Sequence, residues 1–131
     1  MHITGLYAAL AALLVLALGV RISLARGRFK VGIGDGGHHE LARYIRVHAN
    51  ALENLPLALL LLLILELDQT APIWVHAFGI TLLVGRVLHA LGLSRSAGTS
   101  FERLVGMALT WLVLLAMAVL LLWRHLLAGQ V

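Results

Sequence analysis

From Ile3 to Val20 the chain runs without a single charged side chain. A helix needs ~20 mostly apolar residues to cross the ~30 Å hydrocarbon layer of a bilayer, and three further stretches approach that condition. Leu55 to Leu65 is apolar and extends back through a more polar segment that starts near Glu40. Ala71 to Leu93 is interrupted by the ionisable His76, Arg86 and His89, and Leu104 to Trp123 holds Thr110 but no charge. Lipid offers nothing to pair a backbone N–H or C=O, so segments of this kind must be helices. The run Leu57 to Leu65 shows no alternation, which argues against a barrel strand. The expected architecture is all-α: a polytopic four-transmembrane-helix bundle forming one domain over residues 1–131, with helices at about 2–26, 39–67, 71–94 and 100–127.

Composition closes off the other classes. Hydrophobic residues make up 61% of the chain and charged residues 12%, about half the ~25% of a soluble domain. So few charges do not cover a soluble core of this size, which excludes a soluble globular enzyme, and so apolar a chain is not disordered. With no cysteine, disulfides, thiolate metal sites and a cysteine nucleophile are excluded too. Met1 and His2 supply no positive n-region, and the first apolar run exceeds the ~7–15 residues of a cleaved signal, so the first helix is read as retained.

Net charge is +4, and its distribution sets orientation. Arg21, Arg26, Arg28, Lys30, Arg43 and Arg46 surround the first loop, and Arg86, Arg95 and Arg103 flank the third, which lies on the same side. Only Arg124 lies on the other side, with Glu66 and Asp68. Basic residues concentrate on the cytoplasmic side of membrane proteins, so both basic loops are expected in the cytoplasm and both termini outside. Because these cations flank membrane helices rather than line a soluble face, nucleic-acid binding is not expected. Gly32, Gly34, Gly36 and Gly37 with Asp35 mark the first loop, Asp68 to Pro72 the second, and Ser94 to Ser100 the third.

The ionisable residues inside these helices are the functional candidates, since each costs ~2.5–3.5 kcal/mol at the bilayer centre and normally faces a partner or cavity. Arg43, Arg46, Asn50 and Glu53 fall at i, i+3, i+7 and i+10, one face of a helix. Arg86 and His89 form a second polar spot, Arg21 closes the first helix and Arg103 opens the fourth, so every helix brings a cation to one level. One intramembrane Glu leaves positive charge in excess, which asks for an anionic ligand, and the planar guanidinium suits carboxylates.

The block Gly34-Asp-Gly-Gly-His-His-Glu-Leu-Ala-Arg43-Tyr-Ile-Arg46-Val-His48-Ala-Asn50-Ala-Leu-Glu53-Asn-Leu-Pro56-Leu resembles the second-helix signature of the MAPEG superfamily, the membrane-associated proteins in eicosanoid and glutathione metabolism. With Gly85-Arg86-Val-Leu-His89 it is most similar to the small bacterial inner-membrane branch, and the resemblance covers essentially the whole chain. It implies a homotrimer in the bacterial inner membrane that binds glutathione between helices of adjacent subunits. Arg21 then resembles the first-helix contact to a glutathione carboxylate, and Arg46, Asn50 and Glu53 the second-helix contacts, with Arg43, His48 and Arg86 beside them. Arg103 resembles the arginine that stabilises the glutathione thiolate for attack on a lipophilic electrophile, or for reduction of a lipid hydroperoxide. Two positions depart from the better-characterised enzymes: Ala49 stands where they carry a second arginine, and Ala90, Leu91 and Leu93 stand where they carry a tyrosine.

Two other functions fit a small four-helix membrane protein. Glu53 is the type of group that exchanges protons for a cationic substrate in small transporters, although the surrounding arginines repel cations. A non-catalytic scaffold binding membrane lipids through its basic loops is the other. His38, His39, Glu40, His48 and His89 lack His-Glu-x-x-His spacing, so no metal is expected. His2, His76 and His125 receive no chemistry, Gly106 and Thr110 read as a close-packing pair, and Trp74 and Trp123 as an interfacial belt. Trp111, well inside the fourth helix, needs no cofactor.

Overall fold

The computed structural model describes residues 2–95 and 98–128, and these form four helices: α1 (Ile3–Phe29), α2 (His39–Leu67), α3 (Pro72–Arg95) and α4 (Phe101–Ala128). Each has an apolar stretch long enough to cross a membrane. At 1.5 Å per residue, the 27 residues of α1 and the 29 of α2 reach about 40 Å, beyond the ~30 Å hydrocarbon layer. Their basic ends therefore extend to head-group level. The expected all-α membrane bundle is the fold, and no strand occurs among the described residues.

α1 continues to Phe29, about a turn past the limit near residue 26, because Lys30 closes it in a left-handed conformation (φ 57°) with its N–H on the Arg26 and Gly27 carbonyls. The loop that follows is tightly turned. The Asp35 side chain accepts the Gly37 N–H at 2.9 Å, and Phe29 stacks on His38 with centroids 4.3 Å apart. Ser94, expected in the third loop, belongs to α3; Ser96 and Ala97 of that loop lie outside the described residues.

The buried apolar side chains come from all four helices, among them Ala11, Leu18, Val47, Leu55, Leu62, Val75, Leu82 and Met117. Leucines on the opposite faces of α1 and α4, such as Leu13, Leu16, Leu112 and Leu115, are exposed, as a lipid solvent permits. α3 and α4 lie closest together. A Cβ at Gly106 would sit 2.5 Å from both the Gly85 carbonyl oxygen and the His89 amide nitrogen, a separation only glycine permits. Thr110, one turn on, is fully buried and donates to the Gly106 carbonyl at 2.8 Å. The Gly106-x-x-x-Thr110 spacing is thus a close-packing device.

At the end opposite the basic loops, polar groups close on one another. Glu66 of α2 accepts the Ile3 N–H and, at 2.8 Å, the Thr4 N–H, so a carboxylate from another helix satisfies two of the free amides that begin α1. Arg124 of α4 donates to the Asp68 carbonyl at 3.1 Å and to Thr70 Oγ1 at 2.7 Å. The Tyr7 hydroxyl lies 2.7 Å from His76 Nδ1, giving His76 a partner that the sequence did not indicate. Trp74 and Trp123 are exposed at the same end, where an interfacial belt belongs.

Candidate functional site

At the basic end, α2, α3 and α4 diverge around a cleft of about 570 Å³, within the ~300–1,000 Å³ of small-molecule sites. One side is polar: Arg46 and Asn50 from α2, His89 from α3, and Ser100 and Arg103 at the start of α4. The other is apolar: Leu93, Phe101, Leu104, Met107 and Trp111. Among the described residues, two guanidiniums and no carboxylate line it.

Local structure places each group. Ser100 precedes α4 and its Oγ accepts the Arg103 N–H at 3.3 Å, a helix N-cap contact. A Cβ at Gly92 would lie 2.7 Å from the Arg103 amide nitrogen, so this glycine lets the first turn of α4 settle directly on α3. The Arg103 guanidinium reaches the Gly98 carbonyl at 3.3 Å. Arg46 is exposed on the cleft's rim, with Nη1 3.4 Å from Glu53 Oε1. Both ends of that pair are more than half exposed, so the contact is a weak one. Asn50 turns inward, and its Oδ1 accepts a 2.6 Å hydrogen bond from Arg86 Nη2.

The sequence-derived residues therefore divide. Arg46, Asn50 and Arg103 meet at one cleft, and Glu53 stands beside it through Arg46. Arg86 is sealed inside the bundle, 1% exposed, and reaches the cleft only through Asn50 and His89. His48 faces α1, where its Nε2 would lie 3.5 Å from a Cβ at Gly19. Arg43 approaches the Arg95 carbonyl at 3.5 Å. Arg21 belongs to a different place: its Nη1 donates to Ser94 Oγ at 2.8 Å, its guanidinium lies 3.7 Å from the centroid of the Tyr44 ring, and it lines a separate α1–α2 cleft of about 330 Å³ with Arg28 and Glu40. The four cations share a level but not, within one chain, a site. Each helix's rotation sets which face its arginine presents, and the common level does not specify it.

Of the residues that line the cleft, sequence singles out only Arg46, Asn50 and Arg103 as site members. Sequence places His89 beside Arg86 and among the weighed metal ligands, but not in the ligand site. Trp111 was assigned no ligand role, yet Phe101, Leu104, Met107 and Trp111 recur at three- and four-residue spacing along α4. An apolar stripe that continues a polar rim was the available signal. Among the described residues no cluster of three potential metal ligands occurs.

Four membrane-spanning helices that open into a cleft at their basic end define a polytopic membrane protein. The MAPEG family pattern matches residues 4–123. Two relatives, the inner membrane proteins YecN of Escherichia coli strain K12 and of Escherichia coli O6:H1, are each 38% identical over 122 residues, covering 92% of this chain and 91% of theirs. The chain belongs to the MAPEG family.

Proposed function

We propose that this protein is a glutathione-dependent transferase or peroxidase of the bacterial inner membrane, acting as a homotrimer with its basic loops in the cytoplasm and both termini outside. The observation that carries the reading is the cleft itself, where Arg46, Asn50 and Arg103 face a common space with an apolar α4 wall. Glutathione brings two carboxylates and a thiol; guanidiniums bind carboxylates bidentately and stabilise a thiolate. The inner-membrane position is supported by the YecN relatives.

Arg103 is the thiolate-stabilising residue in this reading. Lowering a thiol pKa of ~8.5 by ~2 units takes ~2.7 kcal/mol of preference for the anion, within reach of one partly desolvated guanidinium. The glutathione sulfur then bonds to an electrophilic carbon of a lipophilic substrate, displacing its leaving group or opening its ring. In the peroxidase form it attacks the terminal oxygen of a lipid hydroperoxide, the O–O bond breaks and the lipid leaves as its alcohol, and a second glutathione turns the resulting sulfenic acid into glutathione disulfide and water. The chain needs no cysteine because the co-substrate supplies the sulfur. The exposed Phe101, Leu104 and Trp111 give a bilayer-borne substrate a route to the cleft. Arg21 lies on another helix pair, so only an assembly of copies brings it to the same ligand, and the trimer supplies that arrangement. The buried Arg86 and the α1-facing His48 support the site rather than touch the ligand, and Arg43 stays at its edge.

The test is thermal unfolding of the detergent-solubilised protein with glutathione and with its dicarboxamide analogue, since a ligand that binds only the folded state raises the midpoint. Protection by glutathione alone, with an ultraviolet thiolate band that saturates, supports the reading. Protection by neither, with protection by anionic lipid, replaces it with the scaffold. Proton-coupled efflux from vesicles abolished by Glu53→Gln replaces it with the transporter.

A further inference from the structure

Arg86 is the largest fully buried side chain among the described residues, yet it makes few bonds. Nη2 donates to Asn50 Oδ1 at 2.6 Å and lies 3.3 Å from His89 Nδ1, while Nε and Nη1 are buried without a partner. A guanidinium has five N–H donors and no acceptor. Whatever meets it must therefore present a lone pair.

That requirement fixes two neighbours. A carboxamide has one accepting and one donating end. With Oδ1 committed to Arg86, Asn50 turns its NH₂ the other way, toward the cleft it lines. A neutral imidazole likewise has one accepting and one donating nitrogen. Because the guanidinium only donates, the 3.3 Å contact with Arg86 places the lone pair on Nδ1, which leaves the proton on Nε2. His89 Nε2 and Asn50 Nδ2 have no hydrogen-bond partner among the described residues, and both side chains border the cleft.

We propose that Arg86 is a positioning residue that sets the polarity of the cleft wall: it holds Asn50 and His89 so that both present N–H donors. Together with Arg46 and Arg103 they make a wall of four donor side chains. It takes a group rich in acceptors and without N–H donors of its own at that point, such as a carboxylate, a thiolate or a peptide carbonyl. The consequence for catalysis rests on the glutathione reading; the side-chain orientations do not.

The orientations are testable without any ligand. Nitrogen NMR of the imidazole-labelled protein in detergent, with the His89 signals assigned through His89→Gln, distinguishes the two tautomers directly. The expected result is a single Nε2–H tautomer at neutral pH in the parent protein. Arg86→Lys, which keeps a donor-only head, is expected to preserve it, and Arg86→Met, which has no donor, to give a mixture of both. A parent protein with the proton on Nδ1, or an Arg86→Met variant with an unchanged single Nε2–H form, overturns the proposal. The parent measurement stands even if Arg86→Met fails to fold. Glutathione titrated afterwards is expected to bind at least tenfold more weakly to Arg86→Met than to Arg86→Lys, and equal affinities overturn the proposed effect on the ligand. If the parent binds no glutathione while keeping the Nε2–H tautomer, the functional reading fails and the positioning role is retained.

Discussion

Arg46 and Arg103 reach the same cleft from different helices, and only Arg103 is anchored by the first turn of its own helix. That difference divides their roles. In the proposed mechanism Arg46, on an exposed rim next to Glu53, suits capture of a carboxylate, whereas Arg103, whose backbone is held by Ser100 and Gly92, suits stabilisation of charge at a fixed point. Arg103→Ala is expected to remove the thiolate band and to lower turnover by about 10²–10³-fold, the usual loss when one preorganised charge-stabilising donor is deleted. Thermal stability should stay near that of the parent. Turnover at the parent rate in stopped-flow assays with a model electrophile removes Arg103 from the mechanism. Arg46→Ala is expected to raise the KM for glutathione with kcat little changed, the pattern of a group that binds ground and transition states alike.

At the scale of the helices, much was legible because a bilayer dictates it. A stretch such as Ile3 to Val20 has one stable form in lipid, and a polar stripe at Arg46, Asn50 and Glu53 lies on one helix edge wherever the helix goes. The Gly106 and Thr110 spacing also announced a crossing, though not its partner Gly85. What sequence did not reveal are the pairings made by rotation and by distant contact. Arg21 stands at the level of Arg103 but faces Tyr44 and Ser94, and Glu66 carries no motif that marks it as the cap of a helix sixty residues earlier. Two predictions belong here. Gly106→Ala is expected to destabilise the bundle by about 1–3 kcal/mol, the cost of overpacking a tight contact, because the obstacle is the backbone of His89 and Gly85. An unchanged midpoint in chemical denaturation refutes the tight crossing. Glu66→Ala is expected to cost about 0.5–2 kcal/mol, as lost N-caps do. The Ile3 and Thr4 amides should then exchange hydrogen faster, while those of α4 keep their rates.

The molecule as a whole is asymmetric from end to end. One end is tied by contacts within the chain, Glu66 to α1 and Arg124 to the α2–α3 loop, while the other holds both clefts and the exposed basic groups. The proposed orientation is checked by placing single cysteines in a chain that has none. Ile33→Cys is expected to react with a membrane-impermeant maleimide only after inner-membrane vesicles are inverted, and Gln69→Cys only in intact spheroplasts. The opposite pattern reverses the topology. Glu66 has a further consequence for how the protein is made. The first helix leaves the ribosome before its cap exists, because the capping carboxylate lies 63 residues further on. At ~5–20 residues per second of synthesis, that gap leaves the leading amides of α1 unpaired by protein for about 3–13 s. During that interval water at the membrane surface is the partner left to them, and the Glu66 carboxylate replaces it only once the end of α2 has been made.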